Sequence, residues 1–129
     1  MMTKLNKKQK ERRALNFLNE FTKSQKLARR IYNLAKEDKE IVYLVSIKKN
    51  PLVKAGTTKD ILNRFKKYAT DNPAIEIIDV MEGTREDEKA MQKRIAEKFN
   101  TPLKRREFYK VPQEINKNLI RNQGFGFFA

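Results

Sequence analysis

An α+β fold, with a small three-stranded, mainly antiparallel sheet flanked by helices, is predicted by the changes of hydrophobic period along this chain. Three observations carry that reading. Apolar residues recur at helical spacing through residues 1–40, and two β-rich runs follow on either side of Pro51. A helical stretch, a third apolar run and another helical stretch then fill residues 57–99. At 129 residues the chain suits one domain of ordinary size. Within it, residues 1–40 read as a basic helical arm, 41–112 as the central α+β unit, and 113–129 as a C-terminal helix and Phe-rich tail packing on that unit.

In the arm, Ala14, Leu18 and Phe21, then Ala28, Ile31 or Tyr32, and Ala35 form one apolar stripe with charges around the rest. Ser24 is a suitable cap for a second helix, so one long helix or two short ones both fit. IVYLVSI from residue 41 and LVKAGT from residue 52 are β-rich runs separated by KKNP, a hairpin signature in which Pro51 suits an edge. TTKDILNRFKKYA returns to helical spacing, with Ile61, Leu62, Phe65 and Ala69 on one side and Thr57 with Asp60 as a capping-box-like start. IEIIDVM at 75–81 reads as the third strand. GTREDEKAMQKRIAEKF then reads as a helix capped by Thr84, acidic in its first turn, with Met91, Ile95 and Phe99 buried. EFYKV reads as a short extended piece, QEINKNLIRN as a final short helix, and GFGFFA as a tail whose three Phe residues must dock somewhere.

Lys and Arg number 30 against 16 Asp and Glu, a net charge of +14, and residues 1–40 alone hold 12 against five. Such an excess costs stability by self-repulsion and is repaid by attraction to a polyanion, with nucleic acid the first candidate. An anionic membrane is the competing partner, but there is no apolar run of membrane-spanning length and no N-terminal signal pattern. The expectation is therefore a soluble, cytoplasmic protein with no membrane partner. Cysteine and histidine are both absent. That excludes disulfides, thiolate catalysis, Ser-His-Asp chemistry and most zinc enzymes, leaving Tyr, Lys, Arg, carboxylates or a hard metal ion for any catalysis.

The hairpin followed by a capped helix resembles the GIY-YIG nuclease superfamily. Ile41-Val42-Tyr43 stands where that family has its first motif, and Lys54-Ala55-Gly56 with Thr57-Thr58 where it has its second. The compact phage-type branch carries Lys in the second motif, so VKAGTT is similar to its vKiGrT pattern. The Arg of the next helix falls on Arg64. The branch then shows Glu, Leu-His and Phe on one helix, followed by Glu-Trp-Phe. Here those positions hold Gln92, Ile95-Ala96 and Phe99, then Glu107-Phe108-Tyr109. Phe99 and Glu107 lie seven and 15 residues beyond Gln92, in the family register. The resemblance spans residues 41–110, and Gly56, Thr57 and Glu107 are its structural positions.

The resemblance implies a double-stranded DNA endonuclease, acting at the nucleoid of a bacterial or phage-infected cell and hydrolysing phosphodiester bonds with Mg²⁺ or Mn²⁺. Tyr43 would take a proton from the attacking water, its pKa lowered by nearby cations. Arg64 would hold the scissile phosphate with its planar fork, and Lys54 would add charge there. Each residue also has an ordinary reading: Tyr43 as strand packing, Arg64 as a solvent-facing residue at the margin of its helix. At the metal-ligand position Gln92 offers a carbonyl oxygen without negative charge. Glu88, one turn earlier on the same face, is the alternative ligand, or simply a favourable charge near the helix N-terminus. Lys66, Lys67, Arg29, Arg30, Lys104, Arg105 and Arg106 are the further candidates for phosphate contacts. Two other functions fit the same sequence. One is a nuclease fold that binds nucleic acid without cutting it, as a regulator or competitor. The other is a protein-interaction module docking through Phe125, Phe127 and Phe128.

Overall fold

The computed structural model describes residues 6–22, 24–47, 52–103, 108–110 and 125. The chain is α+β: four helices and a four-stranded antiparallel sheet. In chain order these are α1 (Lys7–Phe21), α2 (Gln25–Lys36), β1 (Ile41–Ile47), β2 (Leu52–Thr58), α3 (Ile61–Asp71), β3 (Ile75–Glu82), α4 (Arg85–Lys98) and β4 (Tyr109–Lys110). The sheet order is β3-β1-β2-β4. The expected three strands are thus four, because Tyr109 and Lys110 pair with Val53 and Leu52 at the outer edge of the hairpin. These two residues lie in the short extended piece read from EFYKV, whose place in the sheet no local pattern gives.

The helical start of the chain is two helices. Ser24 accepts from the Leu27 amide at 3.1 Å and caps α2, while Asn6 and Gln9 close a reciprocal capping box on α1. The two lie against the sheet: Leu18, Leu27, Ala28 and Ile31 join Ile41, Tyr43, Val45, Ile61, Phe65, Ile75, Ile77 and Val80 in one core. Their basic residues face outward. On the opposite side of the sheet α4 supplies Met91, Ile95 and Ala96 to a second core with Leu44, Val53, Ala55, Ile78 and Tyr109. Helices therefore cover both faces, which explains why every residue of β1 is buried.

One local reading is corrected. Helix α3 is capped by Asp60, whose carboxylate accepts from the Asn63 amide at 3.3 Å. Thr57 and Thr58 are strand residues, and the Thr58 hydroxyl accepts from the Asp60 amide at the strand-to-helix corner. The β1–β3 register also slips between Leu44 and Val45, which pair with Asp79 and Ile77. The extra residue is Ile78, and it puts Ile77 and Val80 on one face of the sheet with Ile78 on the other. At the start of α4 the Thr84 amide donates to Asp87 at 2.7 Å, as expected of its cap.

The proposed final helix lies outside the described residues, as do Phe127, Phe128, Lys104, Arg105, Arg106 and Glu107. Phe125 is half-buried against the α4-side core, and its amide donates to Asp79 at 3.0 Å. Among the described residues no helix is long and apolar enough to cross a membrane.

Because Leu18 is fully buried between α1 and the sheet, Leu18→Ala is expected to destabilise the whole fold by about 2–5 kcal/mol. Urea unfolding followed by circular dichroism measures it. A loss confined to helical signal, with the sheet transition unmoved, would instead make α1 an independent arm.

Candidate functional site

Strand β2 has a paired and an open half. β4 covers its outer edge at Leu52 and Val53, and among the described residues no strand covers it from Lys54 to Thr58. Over that open edge, α3 overhangs from one face of the sheet and α4 from the other. The result is a cavity of about 430 Å³ lined by Tyr43, Lys54, Gly56, Thr57, Arg64, Arg85, Glu88, Lys89 and Gln92.

Tyr43 and Gly56 are directly opposed across β1 and β2. A Cβ on Gly56 would lie 2.4 Å from the Tyr43 hydroxyl oxygen, so glycine is the residue that lets the ring lie across the strand and reach the cavity. The ring packs edge-on against Phe65, and its hydroxyl shares a 2.7 Å hydrogen bond with that of Tyr68. Phe65 and Tyr68 are both on α3, as is Arg64, and this helix sets the phenol and the guanidinium on one wall. Lys54 stands over the rings of Tyr68 and Phe108, with its ammonium 5.5 and 5.7 Å from their centroids. Packing and site are therefore not alternatives for Tyr43, since the ring belongs to the core while the hydroxyl edge lines the cavity.

The opposite wall is one face of α4. Arg85, Glu88, Lys89 and Gln92 follow each other at intervals of three, one and three residues, so they share a single helical stripe. The Glu88 carboxylate accepts from the Thr57 hydroxyl at 2.6 Å and from the Gln92 amide at 3.2 Å. Gln92 is buried and also donates to the Ala55 carbonyl at 3.4 Å, satisfying a strand-edge acceptor. Both proposed metal ligands thus lie in the cavity, bonded to each other.

Four cationic side chains line the cavity, Lys54, Arg64, Arg85 and Lys89, against the one carboxylate of Glu88. The lining carries a net charge of +3. Even so, Tyr43 does not have the lowered pKa expected for it. Burial of the phenol raises it well above the ordinary tyrosine value, the Tyr68 hydrogen bond and the Tyr68 and Glu88 charges add to the rise, and the opposing pull of Arg64 does not offset them. Tyr43 is a neutral phenol at physiological pH.

A hard divalent cation takes oxygen ligands, and Mg²⁺ commonly uses one or two carboxylates completed by water and substrate phosphate. The donors here, the Glu88 carboxylate with the neighbouring Gln92 amide, fit that pattern with a single carboxylate. Among the described residues no group of three or more acidic, His or Cys side chains could enclose an ion alone.

The other expected phosphate contacts lie elsewhere. Lys66 and Lys67 are exposed on α3 outside the cavity lining. Arg29 pairs with Glu11 in a groove between α1 and α2, and Arg30 reaches Asp79 at 3.4 Å. Three site residues escaped the sequence reading: Tyr68, Arg85 and Lys89. The i, i+3, i+4, i+7 spacing of the α4 stripe was a usable signal for Arg85 and Lys89, but Tyr68 stands outside the stripe of Ile61, Leu62, Phe65 and Ala69 and carried no signal of its own. No protein-family model, curated protein or solved structure matches the chain.

A folded-state pKa raised above the unfolded value stabilises the fold fully below pH about 10. That stability is lost as pH climbs, because the unfolded phenol ionises first. Unfolding free energy should accordingly fall above about pH 10, and Tyr43→Phe should flatten that fall. Denaturant titrations of both proteins across this range test it, and parallel pH profiles would show that Tyr43 ionises normally.

Proposed function

We propose that this chain is a nucleic-acid-binding phosphodiesterase of the GIY-YIG type, in which the open-edge cavity receives the phosphate backbone of DNA. The single observation that supports this most is the meeting of the Tyr43 hydroxyl and four cationic side chains around one carboxylate. Fixed positive charge in a sheltered recess suits the anionic phosphate and the further charge that develops as water attacks it. Arg64 offers a fork for two phosphate oxygens, and Lys54, held by two aromatic rings, offers a point charge beside it.

Hydrolysis adds water to phosphorus and breaks one phosphorus–oxygen ester bond, and the departing oxygen ends with a proton. A neutral phenol suits that end of the reaction better than abstraction of a proton from water. Tyr43 would donate a hydrogen bond to the developing charge or pass its proton to the leaving oxygen. The Tyr68 hydroxyl at 2.7 Å holds the phenol in position. Glu88, steadied by Thr57 and Gln92, would hold Mg²⁺ or Mn²⁺, which supplies charge neutralisation and a more acidic water. With cytoplasmic DNA as the substrate, the charge of the α1 and α2 surfaces would add non-specific grip.

A second reading, binding without cutting, is favoured by one residue: Gln92 stands where the resemblance places the carboxylate. Nicking of supercoiled plasmid with Mg²⁺ or Mn²⁺ separates the two. The hydrolytic reading expects cleavage by the native chain, a loss of about 100-fold or more in Tyr43→Phe and in Arg64→Ala, and a comparable loss in Glu88→Gln. The binding-only reading expects no native cleavage and a gain in Gln92→Glu. Cleavage indifferent to all four substitutions would place the chemistry elsewhere.

A further inference from the structure

Arg85 and Lys89 add charge to the cavity but have no individual role in the chemistry just described. Neither corresponds to a motif position, and both line the cavity on the wall opposite Arg64. The charge count makes them conspicuous. A single phosphodiester carries about one negative charge, which Arg64 and Lys54 together more than match. The lining remains at net +3 before any substrate enters. Like charges gathered around one recess repel each other, and a lone scissile phosphate leaves most of that repulsion uncompensated.

Their spacing is suited to a second anion. Arg85 and Lys89 are four residues apart on α4, about 6 Å along the helix axis and on the same face. Arg85 opens the helix and is exposed, and among the described residues Lys89 pairs only with Glu86, at 3.5 Å, an exposed pair of little strength. Both side chains are therefore available to a ligand. The two cavity walls belong to opposite faces of the sheet, with Tyr43 and Arg64 on the α3 side and Arg85 and Lys89 on the α4 side. Between them runs the open edge of β2.

We infer that Arg85 and Lys89 form a second phosphate subsite, binding the phosphate adjacent to the scissile one, so that a single strand crosses the open edge of β2 from the α3 wall to the α4 wall. The inference rests on the backbone-binding reading above and adds a substrate requirement to it. The ligand must carry two consecutive phosphates, and the pair acts as a positioning device that sets the register of the strand against Tyr43. An isolated phosphodiester would bind weakly and a flanked one well.

The test is fluorescence anisotropy with short DNA oligonucleotides in which single phosphates are replaced by uncharged methylphosphonates. The proteins are the native chain, Arg64→Ala and the double variant Arg85→Gln/Lys89→Gln. Expected is that the double variant binds with a salt dependence shallower by about 0.9 in the log–log slope for duplex oligonucleotides, or about 0.7 for single strands, the signature of one lost phosphate contact. A methylphosphonate next to the central phosphate should weaken native binding and leave the double variant unaffected. Binding that still depends on Arg64, with the double variant matching the native chain on every oligonucleotide, would overturn the second subsite and spare the first. Binding indifferent to Arg64→Ala would overturn the backbone reading and the subsite with it. The effect of the methylphosphonate on the native chain does not depend on how the variants fold, and native binding unchanged by it would overturn the second subsite.

Discussion

The Tyr43 ring lying over Gly56 is the contact on which the site depends. β1 is buried from end to end, and a residue in such a strand normally has no access to solvent. Tyr43 is no exception in exposure, at 1%, but because its cross-strand partner has no side chain its hydroxyl reaches the wall of the cavity. The ring can lean over the hairpin towards the half of β2 that β4 does not cover. Everything else in the cavity is arranged around that overhang: Phe65 and Tyr68 fix the ring, Arg64 follows from their helix, and α4 closes the far side.

The same constraint explains the chemistry of the phenol. Core membership and cavity access are opposite demands on one side chain, and burial dominates its ionisation. A site with four cations might be expected to favour phenolate, yet Arg64 is the single cation among the causes acting on Tyr43, and its pull is outweighed. On the proposed reading the cations serve an incoming anion more than the tyrosine. Glu88 is the counterpart on α4, a carboxylate kept in place by a hydroxyl from β2 and an amide from its own helix. The buried Gln92 is thus more than a neutral replacement for an acid, since it braces Glu88 and satisfies an edge carbonyl at Ala55.

Much of this was legible in the sequence, and the failures have physical causes. Local signals did well: Ser24 offered a cap that allowed either one helix or two, of which two form, the period change at residue 41 marked the hairpin, and Thr84 opened α4. Thr57 was misread as a helix cap because a capping pattern and a strand end look alike when both are rich in threonine. The extended piece that holds β4 was read, but its pairing with β2 and the slip at Leu44/Val45 are products of contact between distant segments and have no local signature. At the site, Tyr43, Lys54, Arg64, Glu88 and Gln92 do line one cavity. The direction of the Tyr43 pKa was missed because burial is a property of the assembled core. Tyr68 was missed because its hydroxyl matters only once a particular neighbour is known.

The α1 and α2 surfaces are also basic, so the proposed reading is tested most directly by whether, and where, a nucleic-acid strand binds. An amide NMR titration of the ¹⁵N-labelled protein with a short DNA oligonucleotide answers both points residue by residue. Expected are the largest shifts at Lys54, Gly56, Thr57, Arg64, Arg85 and Lys89, on both sides of the open β2 edge. Shifts confined to α1 and α2, with those six amides unmoved, would contradict the account.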